Sequence, residues 1–100
     1  MSVQPGIFDL TVYRGTTMEV LADVEGLDLT GATASVECDL PVSAQVITGP
    51  DVNRLRLRLT PSQTATAQPG RYAYEAYVML VGDVHMLLMG YITISEGVIA

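Results

Sequence analysis

Leu59-Thr60-Pro61-Ser62-Gln63-Thr64-Ala65-Thr66-Ala67-Gln68-Pro69-Gly70-Arg71-Tyr72-Ala73-Tyr74-Glu75-Ala76-Tyr77-Val78-Met79-Leu80-Val81 holds a strand end, a short helical turn and a long second strand. Thr60 can cap the turn with its side-chain oxygen. Pro61 suits the first helical position, and Gln63 completes a reciprocal capping box. Pro69-Gly70 then turns the chain. Tyr72 stands just past this corner, two residues before Tyr74. The helical pattern is too short to be more than a crossover, so the stretch predicts strand, corner, strand.

The same alternation extends outward in both directions. Upstream, Asn53 to Thr60 sets Leu55, Leu57 and Leu59 against Arg54, Arg56 and Arg58, a strand with one apolar face. Downstream, Gly82-Asp83 is a two-residue hairpin signal with glycine first, as a type II′ turn wants, and a strand follows from Val84 to Ser95. Before these come strands at Ile7–Tyr13, Thr17–Val24, Ala32–Leu40 and Ala44–Thr48. In the first, Phe8, Leu10 and Val12 share a face. In the second, Met18, Val20, Ala22 and Val24 point inward, with Leu21 an apolar residue on the outer side. In the third, Ala34, Val36 and Cys38 alternate with polar residues. Residues 1–6 form an N-terminal arm and residues 96–100 a short tail. Seven strands and one helical turn in 100 residues predict a single all-β domain over 1–100, a seven-stranded antiparallel β-sandwich.

Hydrophobic residues make up 49% of the chain and charged residues 16%. This is apolar for a small domain whose core can take up only about two-thirds of the unfolded surface. Either the core is unusually rich or some apolar surface meets a partner. The net charge is −6, with five arginines and no lysine. That balance argues against nucleic acid, whose recognition leans on cationic neutralisation of phosphates, and against an anionic membrane. Cys38 is the only cysteine, so no internal disulfide is available, which suits a reducing compartment. The N-terminal sequence shows no signal peptide, and no apolar run is long enough for a membrane-spanning helix.

Tyr72, the helical corner and the strand pattern resemble the corner between the fifth and sixth strands of immunoglobulin-like sandwiches. There a tyrosine ties its hydroxyl back to the corner backbone, two residues before a core cysteine. Tyr74 holds the cysteine's place here. More of the chain joins the resemblance. Arg14-Gly15-Thr16, Leu29-Thr30-Gly31-Ala32, Leu57-Arg58-Leu59-Thr60-Pro61-Ser62-Gln63-Thr64, Gly70-Arg71-Tyr72-Ala73-Tyr74 and Leu88-Met89-Gly90-Tyr91-Ile92-Thr93-Ile94 follow in order. Together they are similar to a small immunoglobulin-like structural module of tailed bacteriophages. That module is found as the N-terminal domain of upper baseplate proteins and among small head, neck and tail accessory proteins. The resemblance implies a non-enzymatic structural or accessory protein of the virion, assembled in the host cytoplasm, for decoration or as a neck, tail or baseplate connector. Its partners would be other virion structural proteins, in a homo- or hetero-oligomer. The alternative is a binding module for a host-surface glycan. Glycan sites commonly use exposed aromatic rings, and this chain has no tryptophan and its tyrosines fall mostly within strands.

Reactive chemistry is sparse. His85 is the only histidine, so a Cys38–His85 nucleophile, a serine triad or a zinc site would each depend on it. Cys38 reads as a small inward-facing hydrophobe. Asp23, Glu25 and Asp28 cluster near one turn without the ordered spacing of a calcium loop. No catalytic residue, metal ligand or cofactor is expected. In an immunoglobulin-like sandwich the second strand lies beside the fifth, so Glu19 and Asp23 are expected to satisfy the Arg54, Arg56, Arg58 stripe. An acidic partner is the other use for that stripe.

The last hairpin is the candidate interface. If Tyr72, Tyr74, Ala76, Val78 and Leu80 face the core, a turn at Gly82-Asp83 pairs Val81 with Val84, Met79 with Met86 and Tyr77 with Leu88. Tyr77, Met79, Val81, Val84, Met86 and Leu88 would then share one outer face, and a bulge near Gly90 would return Ile92 and Ile94 to the core. The last strand is expected at a sheet edge, where its apolar sequence invites a partner.

Overall fold

The computed structural model describes residues 6–96. The N-terminal arm before Gly6 and the tail after Glu96 lie outside the described residues. The strands are β1 (Gly6–Ile7), β2 (Leu10–Tyr13), β3 (Met18–Asp23), β4 (Thr33–Cys38), β5 (Ser43–Gly49), β6 (Val52–Leu59), β7 (Gly70–Leu80) and β8 (Asp83–Ser95), with one helix, α1 (Pro61–Thr66), between β6 and β7. One sheet runs β1–β8–β7–β4, with β2 also on β8; the other is β3–β6–β5. The chain is all-β and sandwich-like, as alternation predicts. The first sheet is mixed, because β1 and β2 join β8 in parallel.

One core lies between the sheets. From the three-stranded side come Met18, Leu55, Leu57 and Leu59; from the other come Val12, Tyr74, Ala76, Val78, Ile92 and Ile94, all buried. Each fully buried leucine or isoleucine contributes roughly 1.5–3 kcal/mol. Leu29, from the loop after β3, is also buried. Asn53 builds its setting: the side-chain oxygen accepts from Leu29 N–H at 2.8 Å, while the amide donates to the carbonyls of Val24 and Leu27 at 2.9 and 2.6 Å.

The corner forms as its residues dictate. Gln63 N–H donates to Thr60 Oγ1 at 3.2 Å, and Gln63 Oε1 accepts from Thr60 N–H at 2.8 Å, with Pro61 opening the helix. Tyr72 donates its hydroxyl to the Gln68 carbonyl at 2.7 Å, at the surface. Thr64, fully buried, fastens the helix to the β2–β3 turn. Its hydroxyl accepts from Gly15 N–H at 3.1 Å and lies 2.6 Å from the Thr16 carbonyl it donates to. Arg14 adds a bond to the Ala65 carbonyl at 2.6 Å.

Three expectations need correction. The strand expected over Ile7–Tyr13 is broken at Phe8-Asp9, and Phe8 is 45% exposed. The break is where the chain crosses Gly90. A Cβ on Gly90 would stand 2.2 Å from the Phe8 carbonyl oxygen, and φ there is +153°. Only glycine admits so close a backbone. The crossing is pinned from both sides: the Tyr74 hydroxyl donates to the Phe8 carbonyl at 2.6 Å, and Asp9 Oδ1 accepts from Tyr91 N–H at 2.9 Å.

The second correction concerns the turn. Leu80 pairs with Asp83, so the central residues are Val81 and Gly82, at φ +50° and +85°. Two positive φ values are the signature of type I′, not type II′. Met79 therefore pairs with Val84 and Tyr77 with Met86, and the register shifts at Ala76/Tyr77 so that Ala76 meets Leu88. The extra residue is Leu87, well before Gly90. The shift buries Leu87 and Leu88 together, a gain of roughly 1.5–3 kcal/mol each. That outweighs the roughly 1–2 kcal/mol of holding Val81 in the left-handed region.

The third correction follows from the first sheet. The last strand is an edge only before Leu88: Gly6–Ile7 pairs with it at Leu88 and Met89, and Leu10–Tyr13 pairs with Ile92–Ser95.

Candidate functional site

Each sheet has an outer face, and the two are built differently. On β3–β6–β5, Arg56 lies opposite Leu21 and Arg54 opposite Asp23. Arg54 Nε donates to Asp23 Oδ1 at 2.6 Å, and Arg56 donates to Glu19 Oε2 through Nη2 at 2.6 Å and Nε at 3.0 Å. The expected internal satisfaction of the arginine stripe is therefore present for two of its three members. Arg58 is opposite Glu19, but that carboxylate is taken by Arg56, and Arg58 has no ion pair among the described residues.

The outer face of the other sheet is apolar toward the hairpin. Met79 is 54% exposed, Val84 60% and Val81, at the tip, 98%. Tyr77 and Met86 lie half-buried one row further in, opposite each other. Five of the six expected interface residues thus lie on this face or at its tip. Leu88 does not: the register shift turns it into the core, where it is 8% exposed. In its place the face gains Met89, which stands between Ile7 on β1 and Glu75 on β7; Ile7 is 78% exposed.

Glu75 is in turn opposite Glu37 on β4, two carboxylates side by side. Desolvation first, then a side-chain hydrogen bond to Glu75 and the charges of Glu75 and Glu37, raise the Tyr77 hydroxyl above its ordinary range. Further along, the Arg71 guanidinium sits over the Tyr91 ring, 3.8 Å from its centroid. A shallow depression of about 180 Å³ lies among Glu37, Ala73, Glu75, Met89, Gly90 and Tyr91. Composition hinted at this surface, but the Glu37–Glu75 juxtaposition was missed. It depends on how β4 registers against β7, and with β5, β6 and α1 between them in the chain no local signal sets that register.

The remaining candidate groups are spread out. Cys38 pairs with Tyr74, whereas His85 lies across from Val78 and hence level with Ala34. Four residues separate the two rows, about 13 Å at ~3.3 Å per residue. Partial burial raises the Cys38 thiol, and the thiol sulfur accepts from Leu40 N–H at 3.5 Å. Asp23 is held by Arg54. Asp28 is occupied by its own turn, accepting from Thr30 N–H at 3.0 Å and Thr30 Oγ1 at 2.7 Å, which lowers its carboxyl below the usual range. Among the described residues no group of three His, Cys, Asp or Glu side chains is placed to hold a metal ion. Tyr74 is pushed up to about 12, first by burial and then by the Asp9 charge.

No protein-family model matches the chain, and no curated protein sequence is significantly similar to it.

Proposed function

We propose that this chain is an immunoglobulin-like, non-enzymatic structural subunit of a tailed-phage particle that works by being bound through the outer face of its last hairpin. The observation that carries the binding role is the solvent-facing group Met79, Val81 and Val84. Monomeric domains seldom leave such contiguous apolar surface in water. Val81 adds a second reason. A β-branched residue at positive φ is strained, and its side chain touches almost nothing of its own chain.

The immunoglobulin-like reading is supported by the strand order, with β3, β6 and β5 in one sheet and β4, β7 and β8 in the other, and by the Tyr72–Gln68 bond at the corner. The phage assignment rests on the ordered turn motifs from Arg14-Gly15-Thr16 to Gly90-Tyr91. The test is quantitative mass spectrometry of purified tailed particles from cells that carry the gene. The chain is expected at a fixed ratio to the other particle proteins. Its absence from particles whose other structural proteins are all detected would overturn the assignment.

A further inference from the structure

We infer that the depression between Glu37, Glu75, Met89 and Tyr91 is a recognition site for one basic side chain, an arginine or a lysine, that a different protein presents within an apolar surface. The inference rests on the reading of this face as an interface and names the chemistry of what lands on it.

The first observation is a contrast between carboxylates. Glu19 and Asp23, on the opposite sheet, are each bound by an arginine. Glu37 and Glu75 stand opposite each other on adjacent strands; Glu75 takes a neutral partner, the Tyr77 hydroxyl, and neither has an ion pair among the described residues. Like charges at directly opposed positions repel. The one arginine on the same face, Arg71, is held over Tyr91 instead.

The second observation is space. Ala73 carries only a methyl group, and beside it opens a depression of about 180 Å³ lined by both carboxylates. The third is the setting. Met89 and Tyr91 line the same depression, and Ile7, in the row of Met89 and Glu75, is exposed. A long basic side chain has the matching division, an apolar stem for Met89 and Tyr91 and a cationic head for the carboxylates. Two carboxylates alone are too few to hold a calcium ion, which takes six to eight oxygen ligands. A second copy of this chain would bring another net charge of −6 against the first. Among the described residues it would offer only Arg58 free of an ion pair or ring contact. A separate, basic protein therefore fits better.

The three methionines of this region, Met79, Met86 and Met89, make the test direct, with core Met18 as an internal reference. The purified chain, labelled with ¹³C at the methionine methyls, is titrated with two synthetic peptides of equal length, one alternating leucine with arginine, the other leucine with glutamate. The arginine peptide is expected to shift Met89 most and leave Met18 unmoved, and to bind more weakly as salt is raised. Glu37→Gln with Glu75→Gln should weaken it about tenfold or more, as loss of charge-assisted bonds does, while circular dichroism stays unchanged. The inference is overturned if both peptides bind alike, if the double variant binds as tightly as the parent, or if the shifts leave Met89 out. It is also overturned if sedimentation shows self-association that Glu37→Gln with Glu75→Gln and Arg58→Gln each abolish, since a second copy would then be the occupant. Failure with peptides, alongside loss of particle incorporation on replacing Met79 and Val84, would remove the basic site and leave the interface standing. Peptide binding at Met89 with normal incorporation of those variants would do the reverse.

Discussion

The outer face of β3–β6–β5 and the outer face of β1–β8–β7–β4 come from the same alternating pattern, yet they reach opposite ends. On the first, Arg54 and Arg56 meet Asp23 and Glu19, so charge is cancelled within the chain. On the second, carboxylate faces carboxylate, and methionine, valine and isoleucine face water. A surface of the first kind leaves little for an outside partner to satisfy, Arg58 and Leu21 being its exceptions. One of the second kind gains by being covered, because each exposed apolar side chain and each opposed charge is a contact the isolated domain leaves unmade.

The comparison breaks most sharply if the apolar face is made polar. Met79→Ser combined with Val84→Ser should lower incorporation into particles about 100-fold or more, since two side chains that would be buried are worth roughly 1.5–3 kcal/mol each. Leu21→Ser, an equally exposed apolar residue on the other face, should change nothing; equal losses from both would show that the faces are not different in kind. Leu88 is unsuitable for this test because it is buried in the core.

Tyr74→Phe probes what lies beneath the apolar face. It removes the bond to the Phe8 carbonyl and should lower stability by about 1–3 kcal/mol, read from denaturant midpoints. It should also change the alkaline limb. Tyr74 titrates near 12 when folded and near 10 otherwise. The folded state then holds its proton where the unfolded state has lost it. The stabilisation is complete below pH 10 and is lost as pH rises through 12. The phenylalanine variant should lose stability less steeply between those two values, and an unchanged slope would assign the alkaline loss elsewhere.

Val81→Asn separates the two demands on the hairpin tip. Asparagine before Gly82 suits a type I′ turn, so the isolated domain should gain about 1 kcal/mol. Incorporation should nonetheless fall, because an apolar contact is gone. A variant that is more stable and assembles as well as the parent would mean the tip is free in the particle. Arg56→Glu, on the self-paired face, should cost up to about 1 kcal/mol through repulsion of Glu19 and leave assembly intact. Tyr72→Phe is the mildest change, about 0.5 kcal/mol, because its bond to Gln68 is made at the surface.

What could be foreseen in the sequence divides along locality. Thr60, Pro61 and Gln63 lie within one turn, so their capping box follows from their order alone. Arg54, Arg56 and Arg58 alternate with leucines that leave no doubt about which side is buried, whereas their pairing with the distant Glu19 and Asp23 is expected only from the resemblance to immunoglobulin-like sandwiches. The last hairpin offered no such guide. Between Val84 and Tyr91 both faces of β8 are largely apolar, so period two carried no information, and the shift at Leu87 was decided by packing. The break at Phe8-Asp9 depends on Gly90, more than eighty residues away in the chain. Tyr77, Met79, Val81, Val84 and Met86 keep the expected side or tip because they lie on the turn side of the shift at Leu87, while Leu88, beyond it, and the facing Glu37 and Glu75 could not be placed.

The crossing at Gly90 also sets a timetable. Gly6 pairs with Leu88, and Val12 with Ile94, so the first strands have no sheet to join until the final one has been made. During synthesis the N-terminal segment must wait, and β7 waits beside it with one side unpaired. Contacts of such long sequence separation are slow to form, and an open strand edge is prone to stray pairing meanwhile. β8, made after every other described strand, therefore acts as the fastener that admits the first strands and closes the free side of β7 at once.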